Sequence, residues 1–102
     1  MNSYRLTPQA RTGLGNILDY VERTFGVGIA EEVLARLDAA FEILARRPKL
    51  GRVRPDLTDD ERIRFWSVGP SLIAYRRVGD TVEILMVERG ERDWERLLGD
   101  AP

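Results

Sequence analysis

Apolar residues recur early in the chain at Ala10, Leu14, Ile17, Leu18, Val21 and Phe25. That spacing lays one stripe along a helix. Thr7 and Pro8 stand just ahead of it. Threonine supplies an N-cap oxygen, and proline suits the first helical position, where its missing N–H would be unbonded anyway. Residues 3–6 before this cap read as a short strand. Gly13 and Gly15 each weaken the helix by about 1 kcal/mol against alanine, unless close packing needs them. Gly26-Val27-Gly28 reads as a stop and a turn. A second helix is predicted over 29–46, with a stripe of Ile29, Val33, Leu37, Ala40, Phe41 and Leu44, widened by Ala30 and Leu34. So short a link makes the two helices antiparallel neighbours. Arg46 and Arg47 suit the negative end of the second helix, and Pro48 ends it.

The period then changes. Residues 49–60 form a polar loop with Gly51, Pro55 and an acidic run. Three strands are predicted beyond it, at 62–68, 71–78 and 81–88. Gly69-Pro70 and Gly79-Asp80 separate them as tight turns, which implies an antiparallel meander. Strict alternation along 81–88 puts Val82, Ile84 and Met86 on one face, with Leu85 and Val87 on the other. Both faces therefore expect a cover. A short last helix is predicted over 93–98, with Asp93 as its cap. The fold class that follows is α+β in one domain, 1–102. The N-terminal strand joins a mainly antiparallel four-stranded sheet, and the antiparallel helical hairpin packs on that sheet. Leu14, Ile17, Val21, Val33, Leu37 and Phe41 are expected to face the core.

Composition narrows the chemistry. Hydrophobic residues make up 43% and charged residues 32% of the 102 positions, which suits a globular domain. There is no cysteine, so no disulfide framework and no thiolate metal site. There is no histidine, which removes Ser–His and Cys–His nucleophile pairs and the usual zinc ligand sets. No metal and no cofactor is expected. No basic segment followed by an apolar run opens the chain, and no apolar run reaches the roughly 20 residues of a membrane span, so a cytoplasmic protein is expected. The net charge of −1 counts against direct nucleic-acid binding. The charge is unevenly placed, however. Of 16 basic residues 15 are arginine, and residues 46–64 hold seven basic residues against four acids, a net of +3.

Several local sequences carry a resemblance. The chain begins Tyr4-Arg5-Leu6-Thr7-Pro8-Gln9-Ala10 and continues with Ile17-Leu18-Asp19-Tyr20-Val21. The second helix closes with Ala45-Arg46-Arg47-Pro48-Lys49-Leu50-Gly51-Arg52. Then come Ile63-Arg64-Phe65, Val68-Gly69-Pro70-Ser71-Leu72-Ile73-Ala74-Tyr75-Arg76 and Val82-Glu83-Ile84-Leu85-Met86-Val87, and finally Arg89-Gly90-Glu91-Arg92-Asp93-Trp94. In order and spacing these segments resemble the RelE/ParE toxin superfamily, and ParE-type plasmid stabilisation toxins more than RelE. One departure stands out: Arg89 occupies a position that is histidine in many members. It keeps a planar cation but cannot shuttle protons at neutral pH.

The resemblance implies one half of a type II toxin–antitoxin system, neutralised by a ParD-like antitoxin. That antitoxin would lay apolar anchors along the hairpin and edge strands. Two activities are open. One is inhibition of DNA gyrase by protein binding, with no catalytic residue. Arg64, Tyr75, Arg89, Arg92 and Trp94 are then the target-contact candidates, and Arg52, Arg54 and Arg62 are candidates for antitoxin contact. The other is ribosome-dependent cleavage of messenger RNA of the RelE type. Lys49, Arg64, Tyr75 and Arg89 or Arg92 would then surround the scissile phosphate. Plainer roles compete at each position: an ion pair with residues 59–61 for Arg64, a core place for Tyr75 and Trp94, and pairing with Asp93 or Glu95 for Arg92. The glycine pairs Gly13-x-Gly15 and Gly26-x-Gly28 lie in no strand–loop–helix unit and are not nucleotide loops.

Overall fold

The computed structural model describes residues 3–99. The elements run β1 (Ser3–Leu6), α1 (Pro8–Phe25), α2 (Val27–Arg46), β2 (Arg64–Val68), β3 (Ser71–Val78), β4 (Thr81–Arg89) and α3 (Trp94–Gly99). The sheet has the order β1-β4-β3-β2. β2, β3 and β4 form the antiparallel meander, and β1 adds to the outer edge of β4 in parallel, so the sheet is mixed.

Thr7 fixes where β1 turns into α1. Its hydroxyl accepts the Ala10 N–H at 3.1 Å, as an N-cap does, and donates to the Leu85 carbonyl at 2.9 Å. Its own N–H donates to the Ile84 carbonyl. The first helix is thus anchored to β4 at its first residue. α1 and α2 are separated by Gly26 alone, a tighter joint than the three-residue turn expected. Gly26 sits at φ +96°, a conformation glycine adopts without strain. Its N–H reaches back to Glu22 O while its carbonyl accepts the Ala30 N–H, so one residue both ends α1 and starts α2. Val27 and Gly28 are consequently helical.

The helical hairpin covers one face of the sheet. Ala10, Ile17, Leu37, Phe41 and Leu44 pack there against Ile73, Tyr75, Val82, Ile84 and Val87. Of the six helix residues expected to be buried, Ile17, Leu37 and Phe41 are buried, while Leu14, Val21 and Val33 are half-buried at the margin. The stripe runs past the sheet at the hairpin tip, where Phe25 and Ile29 are exposed. Gly13 lets α1 approach: a Cβ there would collide with the Val87 carbonyl and lie 2.7 Å from the Glu88 carboxylate. Gly15 faces open space.

The opposite face carries a second core of Ile63, Phe65, Leu72, Ala74, Leu85, Met86 and Trp94, flanked by Leu57, Leu97 and Leu98 from the loop and α3. β4 serves both cores by breaking alternation. Ala74 pairs with Met86 but Tyr75 pairs with Ile84, which leaves Leu85 as an extra residue, a bulge. Leu85 and Met86 therefore both face the second core, and Val87 rejoins Val82 and Ile84 in the first. This corrects the simple alternation, which had Met86 with Ile84 and Leu85 with Val87. The bulge carbonyl is the one that Thr7 bonds.

β2 also starts later than expected, at Arg64 rather than 62. The Ile63 N–H turns back to Asp60 O, and the Asp60 carboxylate takes the Arg62 N–H, so 60–63 is a turn. Arg62 therefore shares no strand face with Arg64. Trp66 packs against the helix-side core, and its neighbour Phe65 is the residue beneath α3. Among the described residues no buried side-chain polar atom lacks a partner, and no helix is long and apolar enough to cross a membrane.

Candidate functional site

The residues singled out in the sequence separate into two regions. The first is the end of β4 with the turn into α3. The Arg89 guanidinium lies 4.9 Å over the Tyr20 ring and pairs with Glu91 at 2.7 Å. Arg92 pairs with Glu88, four residues back on β4, at 3.0 Å, and not with Asp93 or Glu95. Glu88 is buried against Gly13, so it holds Arg92 from below while the guanidinium stays half exposed. Arg89 and Arg92 thus both reach the surface from one backbone turn, each paired with a carboxylate. Tyr20 and Glu88 completed this region without having been singled out. The Ile17–Val21 segment held Tyr20, but only the docking of α1 on β4 brings it to Arg89.

Trp94 belongs to the same segment and has a different place. It is 2% exposed, packs edge-on against Phe65 at 6.0 Å between ring centroids, and donates its indole N–H to Arg89 O at 3.0 Å. It plugs the second core, so as a contact for an outside protein it offers no free surface. Its bond to the Arg89 carbonyl does fix the backbone from which Arg89 and Arg92 project.

The second region is a groove of about 290 Å³ beside the end of α2, lined by Pro48, Lys49, Glu61, Arg62, Arg64, Tyr75, Arg76 and Arg77. Tyr75 is buried, 1% exposed. Its hydroxyl donates to the Pro48 carbonyl at 2.7 Å and accepts the Gly51 N–H at 2.8 Å. Burial pushes the phenol above its ordinary value, against a smaller downward pull from the Gly51 N–H and the Arg64 guanidinium. Arg64 donates to the Gly51 carbonyl at 2.8 Å and forms no pair with residues 59–61. Arg62 is the residue held by Asp60, at 2.9 Å, and this bond keeps the Asp60 carboxyl below the ordinary carboxylate range. Arg76 pairs with Glu83, which also takes Arg5 from β1. The row Arg5–Glu83–Arg76 is a direct product of register across three strands. In Glu83 burial alone would raise the carboxyl, but the two arginines outweigh it and lower it.

Arg52 and Arg54 border a further groove with Leu50, Phe65, Trp66 and Leu72 along the outer edge of β2. Arg52 is bonded to Phe65 through its backbone in both directions, which leaves its side chain exposed. Arg54 closes on Asp56 at 2.8 Å and lowers the pKa of that carboxyl. Of the three arginines expected at a partner surface, then, Arg54 and Arg62 already hold acids of their own loop. Such exposed pairs are worth little and are exchanged easily.

The two regions do not meet. Tyr75 pairs with Ile84, whereas Arg89 lies five residues further along β4. At about 3.3 Å per residue that separates them by roughly 16 Å. Lys49, Arg64 and Tyr75 come together; Arg89 and Arg92 do not join them. Among the described residues no group of His, Cys, Asp or Glu side chains is placed to hold a metal.

Residues 4–94 match the family model described as the ParE toxin of the type II toxin-antitoxin system, parDE. The chain belongs to the ParE toxin family. Toxin ParE1 of Caulobacter vibrioides is 34% identical over 87 residues, which is 85% of this chain and 88% of the relative. Toxin ParE1 of Mycobacterium tuberculosis is 30% identical over 96 residues, covering 93% and 96% of the two chains. The fold is shared with a structure described as the chromosomal ParDE TA system from P. aeruginosa, with a TM-score of 0.74 at 22% identity, covering 89% of this chain and 98% of that one. The expected architecture of strand, helical hairpin, meander and short terminal helix is thus that of a solved relative in fold as well as that of the family.

Proposed function

We propose that this ParE-family chain arrests growth by binding DNA gyrase, that it catalyses nothing, and that a ParD-like antitoxin neutralises it. Gyrase as the target implies action in the cytoplasm. The observation that carries the reading is the state of the Tyr75 hydroxyl. RNA cleavage needs a group to take the 2′-hydroxyl proton and one to protonate the leaving oxygen. The tyrosine in the basic groove has its donor and its acceptor committed to backbone partners, and burial moves its pKa away from neutrality. The other charged groups of the groove are four arginines, which stay protonated, one lysine and one carboxylate, Glu61. Arg89 and Arg92 lie at the other end of the strand. Both reach the surface, and Arg89 lies over the half-exposed ring of Tyr20, the arginine–aromatic combination common at interface hot spots.

The antitoxin reading draws on the family and on two surfaces. A small apolar cleft of Ile17, Val21, Val33, Leu37, Val68 and Pro70, rimmed by Arg36, lies between the hairpin and β2. The groove with Leu50, Trp66, Arg52 and Arg54 runs along the β2 edge. Together they suit an amphipathic, acidic tail that folds on binding. Purified protein is to be added to a gyrase supercoiling reaction and, separately, to translating ribosomes. Inhibited supercoiling with intact messenger RNA is expected. Arg89→Ala/Arg92→Ala is expected to relieve arrest while leaving the antitoxin complex intact. Cleaved messenger RNA with normal supercoiling would instead favour the RelE-type reading, for which Lys49, Arg64 and Tyr75 do share one groove.

A further inference from the structure

Positive charge gathers in the groove beside the end of α2, away from the Arg89–Arg92 pair. Five cations and one acid line it. Asp60 and Glu83 neutralise Arg62 and Arg76. Lys49, Arg64 and Arg77 have no carboxylate within 4.0 Å among the described residues. Arg64 spends one N–H on Gly51 O and Arg77 one on Gly79 O, which leaves most of each guanidinium fork for a ligand. Arg46 and Arg47, exposed where α2 ends, carry further positive charge into the same neighbourhood. The net charge of −1 over the whole chain conceals this polarity.

The groove's lining selects among anions. Apart from Pro48 and the buried ring of Tyr75 it has no apolar residue. An amphipathic peptide finds no anchor here, unlike in the cleft of Ile17 and Val33. A row of separate guanidinium and ammonium groups fits repeated phosphates, each taken bidentately by arginine or as a point charge by lysine. The single hydroxyl at the groove is bonded on both sides, so the phenol is not free to take a proton from a bound phosphodiester, and the groove's one carboxylate is Glu61. We propose that this groove seats the sugar–phosphate backbone of duplex DNA and holds it uncut. The choice of DNA over RNA rests on the gyrase reading, because that target acts on duplex DNA. The chain then contacts protein through Arg89 and Arg92 and DNA through Lys49, Arg64 and Arg77.

The test is fluorescence anisotropy of a labelled DNA duplex of about two helical turns titrated with the purified chain, repeated with an RNA duplex of the same sequence. Three phosphate contacts give a salt slope near −2.7, so raising salt from about 50 to 200 mM weakens binding about 40-fold. Lys49→Gln/Arg77→Gln is expected to reduce the affinity at low salt at least tenfold and the slope to about −1, with the melting temperature and antitoxin binding unchanged. Arg46→Gln/Arg47→Gln gives a second readout that touches no side-chain turn bond and is expected to weaken binding of the duplex in the same direction. The proposal is overturned by any of three results: no duplex binding at low salt, equal binding by parent and both variants, or RNA bound tenfold tighter than DNA. Loss of the antitoxin by the first variant with the duplex retained would also overturn it, since the groove would then take protein carboxylates. Failure of the gyrase reading is separate, because it would appear as unaffected supercoiling by a chain that still binds the duplex.

Discussion

Removing one oxygen atom tests how the α2–β2 connection is held. Tyr75→Phe keeps the ring in the first core and deletes the hydroxyl that donates to Pro48 O and accepts from Gly51 N–H. Gly51 is buried, and the Tyr75 hydroxyl is the acceptor of its N–H. Leaving one buried donor unsatisfied costs about 1–3 kcal/mol, and the Pro48 bond adds roughly 0.5–1.5 kcal/mol. Against a total stability of about 5–15 kcal/mol that is a large fraction. A loss of about 2 kcal/mol lowers the melting temperature by roughly 8–16 °C in a domain of this size. Urea unfolding followed by circular dichroism measures it. The pH dependence supplies a second readout with a definite sign. The phenol is raised in the folded chain above its ordinary value of 10.0, so the unfolded chain loses its proton first as pH rises. Stability linked to this group is complete below pH 10 and falls as pH climbs through the folded value. Tyr75→Phe removes that alkaline loss, while Tyr4, also raised by burial, keeps its own share. A destabilisation below about 0.5 kcal/mol, the low end for one net hydrogen bond, would refute this account of the connection.

Three further outcomes are expected. Gly13→Ala forces a Cβ into the Val87 carbonyl and should destabilise by about 1–3 kcal/mol, whereas Gly15→Ala, in open space on the same helix, should stabilise by about 1 kcal/mol; thermal melts of the pair give opposite signs. Glu83→Gln removes the centre of the Arg5–Glu83–Arg76 row at a cost of roughly 1 kcal/mol at pH 7. Because the Glu83 carboxyl is lowered from 4.5 when folded, its contribution is present above that pH and lost as pH falls through the folded value, so the variant should show a flatter acid limb in unfolding titrations. Trp94→Ala should cost about 3–5 kcal/mol and expose the second core to a hydrophobic dye, so loss of toxicity in this variant reports unfolding and not a lost target contact.

The sequence by itself determined every element of the fold. Periods of 3.6 and 2 are local properties, and Thr7-Pro8, Pro48, Gly69-Pro70 and Gly79-Asp80 punctuate them through backbone geometry that neighbouring residues alone dictate. The chemistry excluded by composition was equally local to read: without histidine or cysteine, whole classes of site disappear. What only the tertiary structure decided is which distant residues meet. The bulge at Leu85 moves Met86 to the other face because two cores compete for one strand, and no pattern within β4 reveals that competition. Trp94 looks like an interface anchor beside Arg92, yet it is swallowed by Phe65 and its neighbours in the second core. Glu83 gathers Arg5 and Arg76 through register, Tyr20 reaches Arg89 through helix docking, and Lys49, Arg64 and Arg77 come to one groove from a loop and two strands. Secondary structure follows from short-range sterics and solvent preference, which a sequence displays directly. A site depends on contacts between residues far apart in the chain, and packing alone creates those.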